Sequence, residues 1–234
     1  MSARVLAIVP ARGGSKGVPR KNLRQVGGIS LLERAIRSLR AANVVDAILV
    51  STEDAEIAEA ARAAGAAVPF MRPAELASDT ASTIDVLVHV LETWTRREGA
   101  APEWFVLAEP TNPFRRPETV ASAVARAGKG DVASVIAICP LERKPQYIFA
   151  MVGDRLERYI KEPREEFGRR QDMDHLCRLS NVVWVVRTAD FLASRRLLMA
   201  PTGYVPTDNV EAINIDEPLD LEFADFIANK QRDL

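Results

Sequence analysis

The sequence has few of the residues and motifs that mark several classes of protein. It has only two cysteines, Cys139 and Cys177, far apart and without a CxxC pair, which argues against a disulfide scaffold and a cysteine-ligated zinc site. Its two histidines form no HxH or HExxH spacing for zinc, and no GxSxG motif suggests a hydrolase. We therefore expect two reduced thiols and a chemistry that depends on neither zinc nor a serine nucleophile.

The chain also lacks a long hydrophobic run and an excess of charge of one sign. The first apolar run is broken at Pro10, so it is too short to span a membrane, and no signal-peptide cleavage pattern follows it. The 31 basic and 32 acidic residues nearly cancel, which leaves no overall field to attract nucleic acid or an anionic membrane. We expect a cytoplasmic protein that binds neither, and any anion site should be local.

What is present is the composition of an ordinary globular protein. Of 234 residues, 47% are hydrophobic and 27% are charged, which is enough apolar material for one core. We therefore predict one domain over residues 1–234, although its chemistry has to be inferred from motifs.

Hydrophobic periodicity predicts alternating strands and helices. Strands are predicted at 5–9, 47–50, 67–70, 104–108, 132–138, 179–186 and 213–216. Helices are predicted at 31–39, after 53–54, at 83–95, 117–127, 189–198 and 219–227. Such alternation is typical of an α/β fold with a mostly parallel, doubly wound sheet.

The alternation fails between residues 140 and 176. Gly153-Asp154 lies between two short apolar segments and predicts a tight hairpin, which is followed by a highly charged stretch at 161–174. We interpret 140–176 as an arm that projects from the sheet.

The most informative segment is the loop PARGGSKGVPRKN at residues 10–22, directly after the first strand. Glycines allow backbone amides to approach a ligand closely, and cations hold a triphosphate and stabilise charge at its α-phosphorus. The glycines are Gly13, Gly14 and Gly17, and the cations are Arg12, Lys16, Arg20 and Lys21. The loop matches neither a Walker motif nor GxGxxG, which argues against P-loop kinases, ATPases and dehydrogenases. The alternative interpretation is a solvated basic turn.

The wider segment IVPARGGSKGVPRKN closely resembles the opening signature of the acylneuraminate cytidylyltransferases, or CMP-sialic acid synthetases. Further segments match in the family order: ILVSTEDAEIAEAARAAGA, MRPAELASDTASTIDVLVHVLE, EPTNPFR, RRQD and INIDEPLDLEFA. The resemblance implies a sheet of nucleotide-diphospho-sugar transferase type and a protruding arm that makes a homodimer. It also implies that the anomeric hydroxyl of an acidic nine-carbon sugar attacks the α-phosphate of CTP with the help of Mg²⁺.

The resemblance assigns roles to individual residues. Arg12 and Lys21 would stabilise the transition state, and Asp216 would bind the metal. The nucleotide would be held by Ala11, Gly13, Gly14, Ser15, Lys16, Asn22, Arg72, Ala81 and Thr83. The arm would contribute Arg170 to the sugar carboxylate of the neighbouring subunit, and Glu109 would face the sugar.

Several of these residues also have simpler interpretations. Arg72 with Pro73 fits a surface turn, and Ser82-Thr83 fits the cap of a helix. Arg170 has many glutamates nearby to pair with. Asp216 precedes a predicted helix and would make a good N-cap.

The sequence departs from the family at positions on the acceptor and metal side. Glu109 replaces the usual glutamine of QPTSP, and Asn214 replaces an aspartate near the metal. Tyr147 replaces a lysine of the arm. The family's segment NGAIY reads NVVWV here, beginning at Asn181. A carboxylate facing a sugar acid is repulsive unless the sugar offers an additional donor.

The departures leave the acceptor open. A modified nonulosonate of legionaminic or pseudaminic type, a deaminated one, or a different sugar acid all fit, and some relatives use GTP. A weak or inactive homologue that serves as a binding subunit is the alternative from another class.

Overall fold

The chain folds around a twisted mixed sheet flanked by helices. The computed structural model describes residues 4–141, 148–160 and 176–232. The strands are β1 (Val5–Pro10), β2 (Gln25–Val26), β3 (Ile29–Ser30), β4 (Ala47–Ser51), β5 (Trp104–Leu107), β6 (Ser134–Pro140), β7 (Phe149–Val152), β8 (Arg155–Arg158), β9 (Cys177–Arg187) and β10 (Thr202–Pro206). The α-helices are α1 (Leu31–Ala42), α2 (Ala55–Ala63), α3 (Thr83–Glu98), α4 (Pro117–Ala127), α5 (Thr188–Ser194) and α6 (Pro218–Arg232), and short 3₁₀ turns lie at Lys21–Leu23 and Ala74–Ala77.

Within the described residues the main sheet has the strand order β10-β6-β9-β5-β1-β4. β1 pairs in parallel with β4 and with β5, and β10 pairs in parallel with β6. Only β9 runs antiparallel to its neighbours, β5 and β6. The predicted mostly parallel sheet is therefore confirmed.

Both faces of the sheet are buried, as β1 illustrates. Val5, Ala7 and Val9 pack into the cluster formed with α1, α2 and α4. Leu6 and Ile8 point to the other face and pack with α3 and α5. A strand covered on both sides needs apolar residues at every position, which is why its sequence shows a continuous hydrophobic run. The doubly wound α/β architecture is confirmed.

Local hydrogen bonds define where the helices begin. The side chains of Ser30, Asp54 and Ser82 each accept from a backbone N–H in the first turn of α1, α2 and α3. α1 begins directly after β3, whereas α2 and α3 each follow a short loop. The caps therefore help to place the loops that surround the site described below.

Two predicted strands are absent from the main sheet, and one strand of that sheet, β10, was not predicted. Residues 67–70 make a single bridge, between Leu49 and Ala67, because Pro69 has no N–H to extend the pairing. Residues 213–216 form no strand, and the edge position is taken by β10. β10 is short, contains a glycine and has Pro206 at its end, so its sequence suggests a loop.

The predicted hairpin around Gly153 is confirmed by the antiparallel pairing of β7 with β8. Gly153 has a φ of +63°, in the left-handed region that glycine adopts most readily. Residues 142–147 and 161–175 of the predicted arm, which include Tyr147 and Arg170, lie outside the described residues. None of the helices in the described ranges is long and apolar enough to cross a membrane.

Candidate active site

A cleft of about 570 Å³ opens where β1 and β5 end and β9 bends. This is the edge at which open α/β sheets bind ligands. Ten of the predicted site residues line it: Arg12, Ser15, Lys16, Lys21, Asn22, Arg72, Ala81, Thr83, Glu109 and Asp216. Ala11, Gly13 and Gly14 are not among the lining residues. The tertiary structure thus brings together side chains from widely separated segments.

The backbone of the loop at residues 10–22, called the phosphate loop from here on, is held by neighbouring groups. The Ala11 N–H donates to the Ser51 carbonyl at 2.9 Å, and the Gly13 N–H donates to Glu53 Oε1 at 2.7 Å. The Asn22 side chain is buried and donates to the Arg12 carbonyl at 2.8 Å. In this conformation Ala11, Gly13 and Asn22 shape the loop, and the backbone amide of Gly13 is already occupied.

Lys21 and Arg20 point to opposite sides of the loop. Lys21 Nζ donates to the Ile215 carbonyl at 2.7 Å and to Asp216 Oδ1 at 3.2 Å. The sequence places Lys21 in a polar loop, where an exposed side chain is expected, but its side chain is only 15% exposed. Arg20 pairs with Asp54, the N-cap of α2, and with Glu56 in the first turn of that helix. The charge of Arg20 therefore faces away from the cleft.

Asp216 is not the cap of the last helix, in contrast to the simpler interpretation of its sequence. The Asp220 carboxylate, in the first turn of α6, accepts from the backbone N–H of Asp216 at 2.9 Å and of Glu217 at 2.8 Å, as the acidic partner of a capping box does. The Asp216 carboxylate instead accepts from Lys21 and Asn214, and its side chain is 68% exposed. Both of its oxygens therefore lie at the cleft rather than at the helix end.

The opposite wall contains Arg72 and the start of α3. Arg72 is 6% exposed, so it is not part of a surface turn, and its guanidinium donates to Ser51 Oγ at 3.1 Å and to the Ser51 carbonyl at 2.6 Å. Burial lowers the pKa of Arg72, and the nearby Glu53 carboxylate opposes that shift. Ser82 does cap α3, as its simpler interpretation holds, while Ala81 and Thr83 on either side of it line the cleft.

The third wall contains Glu109, which is next to the buried Arg115. Burial raises the pKa of Glu109, Arg115 opposes that shift, and Asp216 adds to it. Arg115 is buried and donates from Nε to the Val182 carbonyl at 2.6 Å and from Nη2 to the Glu109 carbonyl at 2.5 Å. Burial lowers the pKa of Arg115 to about 10, against the attraction of Glu109. Arg115 thus joins the end of β5 to the irregular part of β9.

Comparison with known proteins identifies the family of this chain. The family model described as cytidylyltransferase matches residues 6–163, which is well over half of the chain. The chain belongs to the cytidylyltransferase family. It is therefore a nucleotidyltransferase, and the family resemblance carried by its phosphate loop is confirmed.

The sequence similarity to individual cytidylyltransferases extends over nearly the whole chain. It is 30% identical to the CMP-N,N'-diacetyllegionaminic acid synthase of Legionella pneumophila, over 93% of each chain. It is 24% identical to the N-acylneuraminate cytidylyltransferase of Escherichia coli, over 99% of this chain and 54% of that protein. A CMP:2-keto-3-deoxy-manno-octonic acid synthetase structure shares the fold, with a TM-score of 0.73, 15% identity and coverage of 97% of this chain and 99% of that one.

The cytidylyltransferase cleft offers few protein oxygens to a metal ion. Among the residues that the structure describes, no group of three or more His, Cys, Asp or Glu side chains is arranged to hold one. Asp216 and Asn214 are two of the oxygen-bearing side chains that line the cleft, and Asp216 lies beside Lys21 of the phosphate loop. Because Mg²⁺ commonly completes its octahedral shell with phosphate oxygens and water, this small set fits a Mg²⁺ shared with a nucleotide.

Three further residues in or beside the cleft contribute to its structure but were not predicted as site residues. Asp79 faces the phosphate loop, Arg115 supports Glu109, and Asn181 lines the cleft with a φ of +56°. Asn181 lies where β9 shifts register against β6, between Ile136 and Ile138. Asp79 and Arg115 stand within segments that match the family, and Asn181 stands in one that departs from it. Only the tertiary contacts show which of these side chains contribute to the cleft.

Proposed function

We propose that this nucleotidyltransferase transfers CMP from CTP to the anomeric hydroxyl of a nonulosonic acid and releases pyrophosphate. The observation that carries the proposal is the convergence of Arg12, Lys16 and Lys21 in one cleft with Asp216. Cations held in place before the reaction stabilise charge as it develops on phosphoryl oxygens. We place the reaction in the cytoplasm, where nucleoside triphosphates are available.

The walls of the cleft suggest how the substrates divide it. Arg72, Ala81 and Thr83 form the wall that we assign to the nucleoside, because a buried arginine held by Ser51 presents donors in fixed geometry. Glu109 and Asn181 line the remaining side, which we assign to the sugar. In that arrangement the phosphates lie between them, along the loop.

The chemistry requires one bond to form and one to break. The sugar hydroxyl oxygen bonds to the α-phosphorus, the bond from that phosphorus to the pyrophosphate oxygen breaks, and the hydroxyl proton is released. Arg12 and Lys21 would stabilise the charge on the α-phosphate, while Lys16 would hold the outer phosphates. Asp216 would hold Mg²⁺, which when bound neutralises charge on the phosphates.

We further propose that the acceptor is a diacylamino nonulosonic acid of the legionaminic class. Glu109 accepts hydrogen bonds when ionised and repels another carboxylate, so it suits a sugar that presents a donor such as an amide N–H at that position. The relative from Legionella pneumophila is named for a sugar with two acetyl substituents. The similarity to that protein and the position of Glu109 support the same class.

The direct test measures pyrophosphate release with CTP and Mg²⁺ across a panel of nonulosonic acids, repeated with GTP, ATP and UTP. Turnover is expected with CTP and a diacetylated acceptor. CTP binding without turnover on any sugar would favour a binding subunit instead of an enzyme.

The role of Glu109 is tested by exchanging its acid for an amide. Glu109→Gln is expected to shift the ratio of kcat/KM values toward N-acetylneuraminate and away from the diacetylated sugar. An unchanged ratio would place Glu109 outside the sugar site.

A further inference from the structure

The phosphate loop is already paired with a carboxylate from the opposite wall of the cleft. Asp79 Oδ1 lies 3.2 Å from Arg12 Nη1, and Asp79 Oδ2 lies 2.7 Å from Lys16 Nζ. Arg12 Nη1 also donates to the Ser78 carbonyl at 3.0 Å. The two side chains that we expect to meet phosphate oxygens therefore hold a single carboxylate between them.

A carboxylate in this position uses the same donors as a nucleotide would. A triphosphate offers more negative charge and more acceptor oxygens than one carboxylate, so it competes well for both cations. The ion pairs of Asp79 lie close to solvent, since the side chains of Arg12, Asp79 and Lys16 are 32%, 44% and 76% exposed, and such pairs contribute little stability each. Exchange of one anion for the other therefore costs little.

The position of Asp79 in the chain gives this exchange a structural consequence. Asp79 lies in the short loop at 78–82, between the 3₁₀ turn at Ala74–Ala77 and α3. The same loop contains Ala81, and it runs directly into Thr83 at the first turn of α3. A loop released from Arg12 and Lys16 is thus the loop that forms part of the proposed nucleoside wall.

We propose that Asp79 is a counter-anion that the triphosphate displaces from Arg12 and Lys16, so that nucleotide binding releases the 78–82 loop. The inference rests on the proposed nucleotide site. Its consequence is that the charge of Asp79 limits the affinity of the site for polyphosphates.

The experiment measures equilibrium binding of inorganic tripolyphosphate and of CTP, each in EDTA and without sugar, so that no turnover occurs. Asp79→Asn removes the competing charge at nearly constant size, and both ligands are expected to bind about three- to tenfold more tightly. Asp85→Asn is the matched control, because Asp85 is an exposed acid that accepts from Ser82 Oγ at 2.7 Å and pairs with Arg195 outside the cleft lining. Its affinities are expected to equal those of the wild type.

Hydrogen exchange supplies the second readout. Tripolyphosphate is expected to increase exchange at the backbone amides of 78–82 in the wild type, and Asp79→Asn is expected to show fast exchange before any ligand is added. Unchanged exchange in both proteins would contradict the release of the loop.

The binding data separate two kinds of failure. Wild-type protein that binds neither ligand would overturn the proposed nucleotide site together with this inference. Wild-type binding with unchanged or weaker affinity in Asp79→Asn would overturn the inference alone, since Asp79 would then orient the cations for the ligand instead of competing with it.

Discussion

At the scale of single residues, Lys21 shows how one side chain serves both the fold and the site. Its ammonium group donates to the Ile215 carbonyl and pairs with Asp216, so it ties the phosphate loop to the segment before α6. When a nucleotide is bound, we expect the same charge to face the α-phosphate. The sequence predicts this lysine as catalytic but does not predict its burial.

Replacing Lys21 with methionine is expected to lower kcat/KM by about a thousandfold, because one positioned charge at the reacting phosphate is lost. The free energy of unfolding is expected to fall by about 1 kcal/mol, since the Ile215 carbonyl loses its donor. Pyrophosphate release and urea denaturation measure the two effects. Arg20→Gln, which removes the adjacent cation that pairs outside the cleft, serves as the control and should retain turnover. Near wild-type activity in Lys21→Met would remove this residue from the catalytic assignment.

Glu109 predicts a dependence of stability on pH, because burial raises its pKa. The native protein then binds the Glu109 proton more tightly than the unfolded chain does. The stabilisation from that proton is complete below the ordinary carboxyl pKa of about 4 and is lost as pH rises through the raised value. Glu109→Gln abolishes this loss, so its stability relative to the wild type is expected to increase with pH. Thermal unfolding of both proteins from mildly acidic to mildly basic pH measures the difference, and a constant difference would contradict the raised pKa.

At the scale of elements, the phosphate loop and the segment before α6 fit together through Gly17. A Cβ at this position would lie 2.2 Å from the Asp216 carbonyl oxygen, which is backbone and has no flexible side chain to move aside. Glycine is therefore required by close approach and not by an unusual φ. The contact explains how the loop after β1 meets a segment near the end of the chain.

Gly17→Ala is expected to lower the free energy of unfolding by about 2 kcal/mol and to reduce turnover, because the loop or the 215–217 segment must shift. Gly14→Ala is the matched control for stability: its Cβ would meet nothing within 4 Å, so its unfolding free energy should stay within about 0.5 kcal/mol of the wild type. Urea denaturation compares the two variants. Equal stabilities would show that the loop tolerates a side chain at both positions.

The secondary-structure predictions succeeded where the pattern is local and failed where pairing is not. α4 was predicted with its observed bounds, because Pro117 opens a periodic apolar run. β10 was missed, since its strand character comes from pairing with β6, about 70 residues earlier in the chain. The segment at 213–216 has strand-like composition, yet Ile215 bonds to Thr111 outside any ladder.

At the scale of the whole molecule, the hairpin of β7 and β8 presents apolar side chains to solvent. Met151 and Leu156 are paired across the two strands, so they share one face, and they are 87% and 69% exposed. Exposed apolar patches of this kind mark interaction surfaces. The predicted homodimer through the arm is consistent with that surface and stays a prediction.

Sedimentation of the wild type is expected to show a dimer, and the double variant Met151→Ser, Leu156→Ser is expected to be a monomer. Leu219→Ser is the control, because Leu219 is 72% exposed on α6 and lies outside the hairpin. A wild-type monomer would contradict the homodimer, and a dimeric double variant would place its interface elsewhere.

By itself, the sequence determined the α/β alternation and the phosphate loop, because both depend on the order and spacing of residues close together in the chain. Only the tertiary structure decided that Asp216 faces Lys21 and that Asp79 pairs with Lys16. These contacts compete with equally good local alternatives, and the outcome depends on which distant groups the packed core brings within hydrogen-bond distance. Lys21 reaches Ile215 across 194 positions of sequence, a separation at which local patterns give no information.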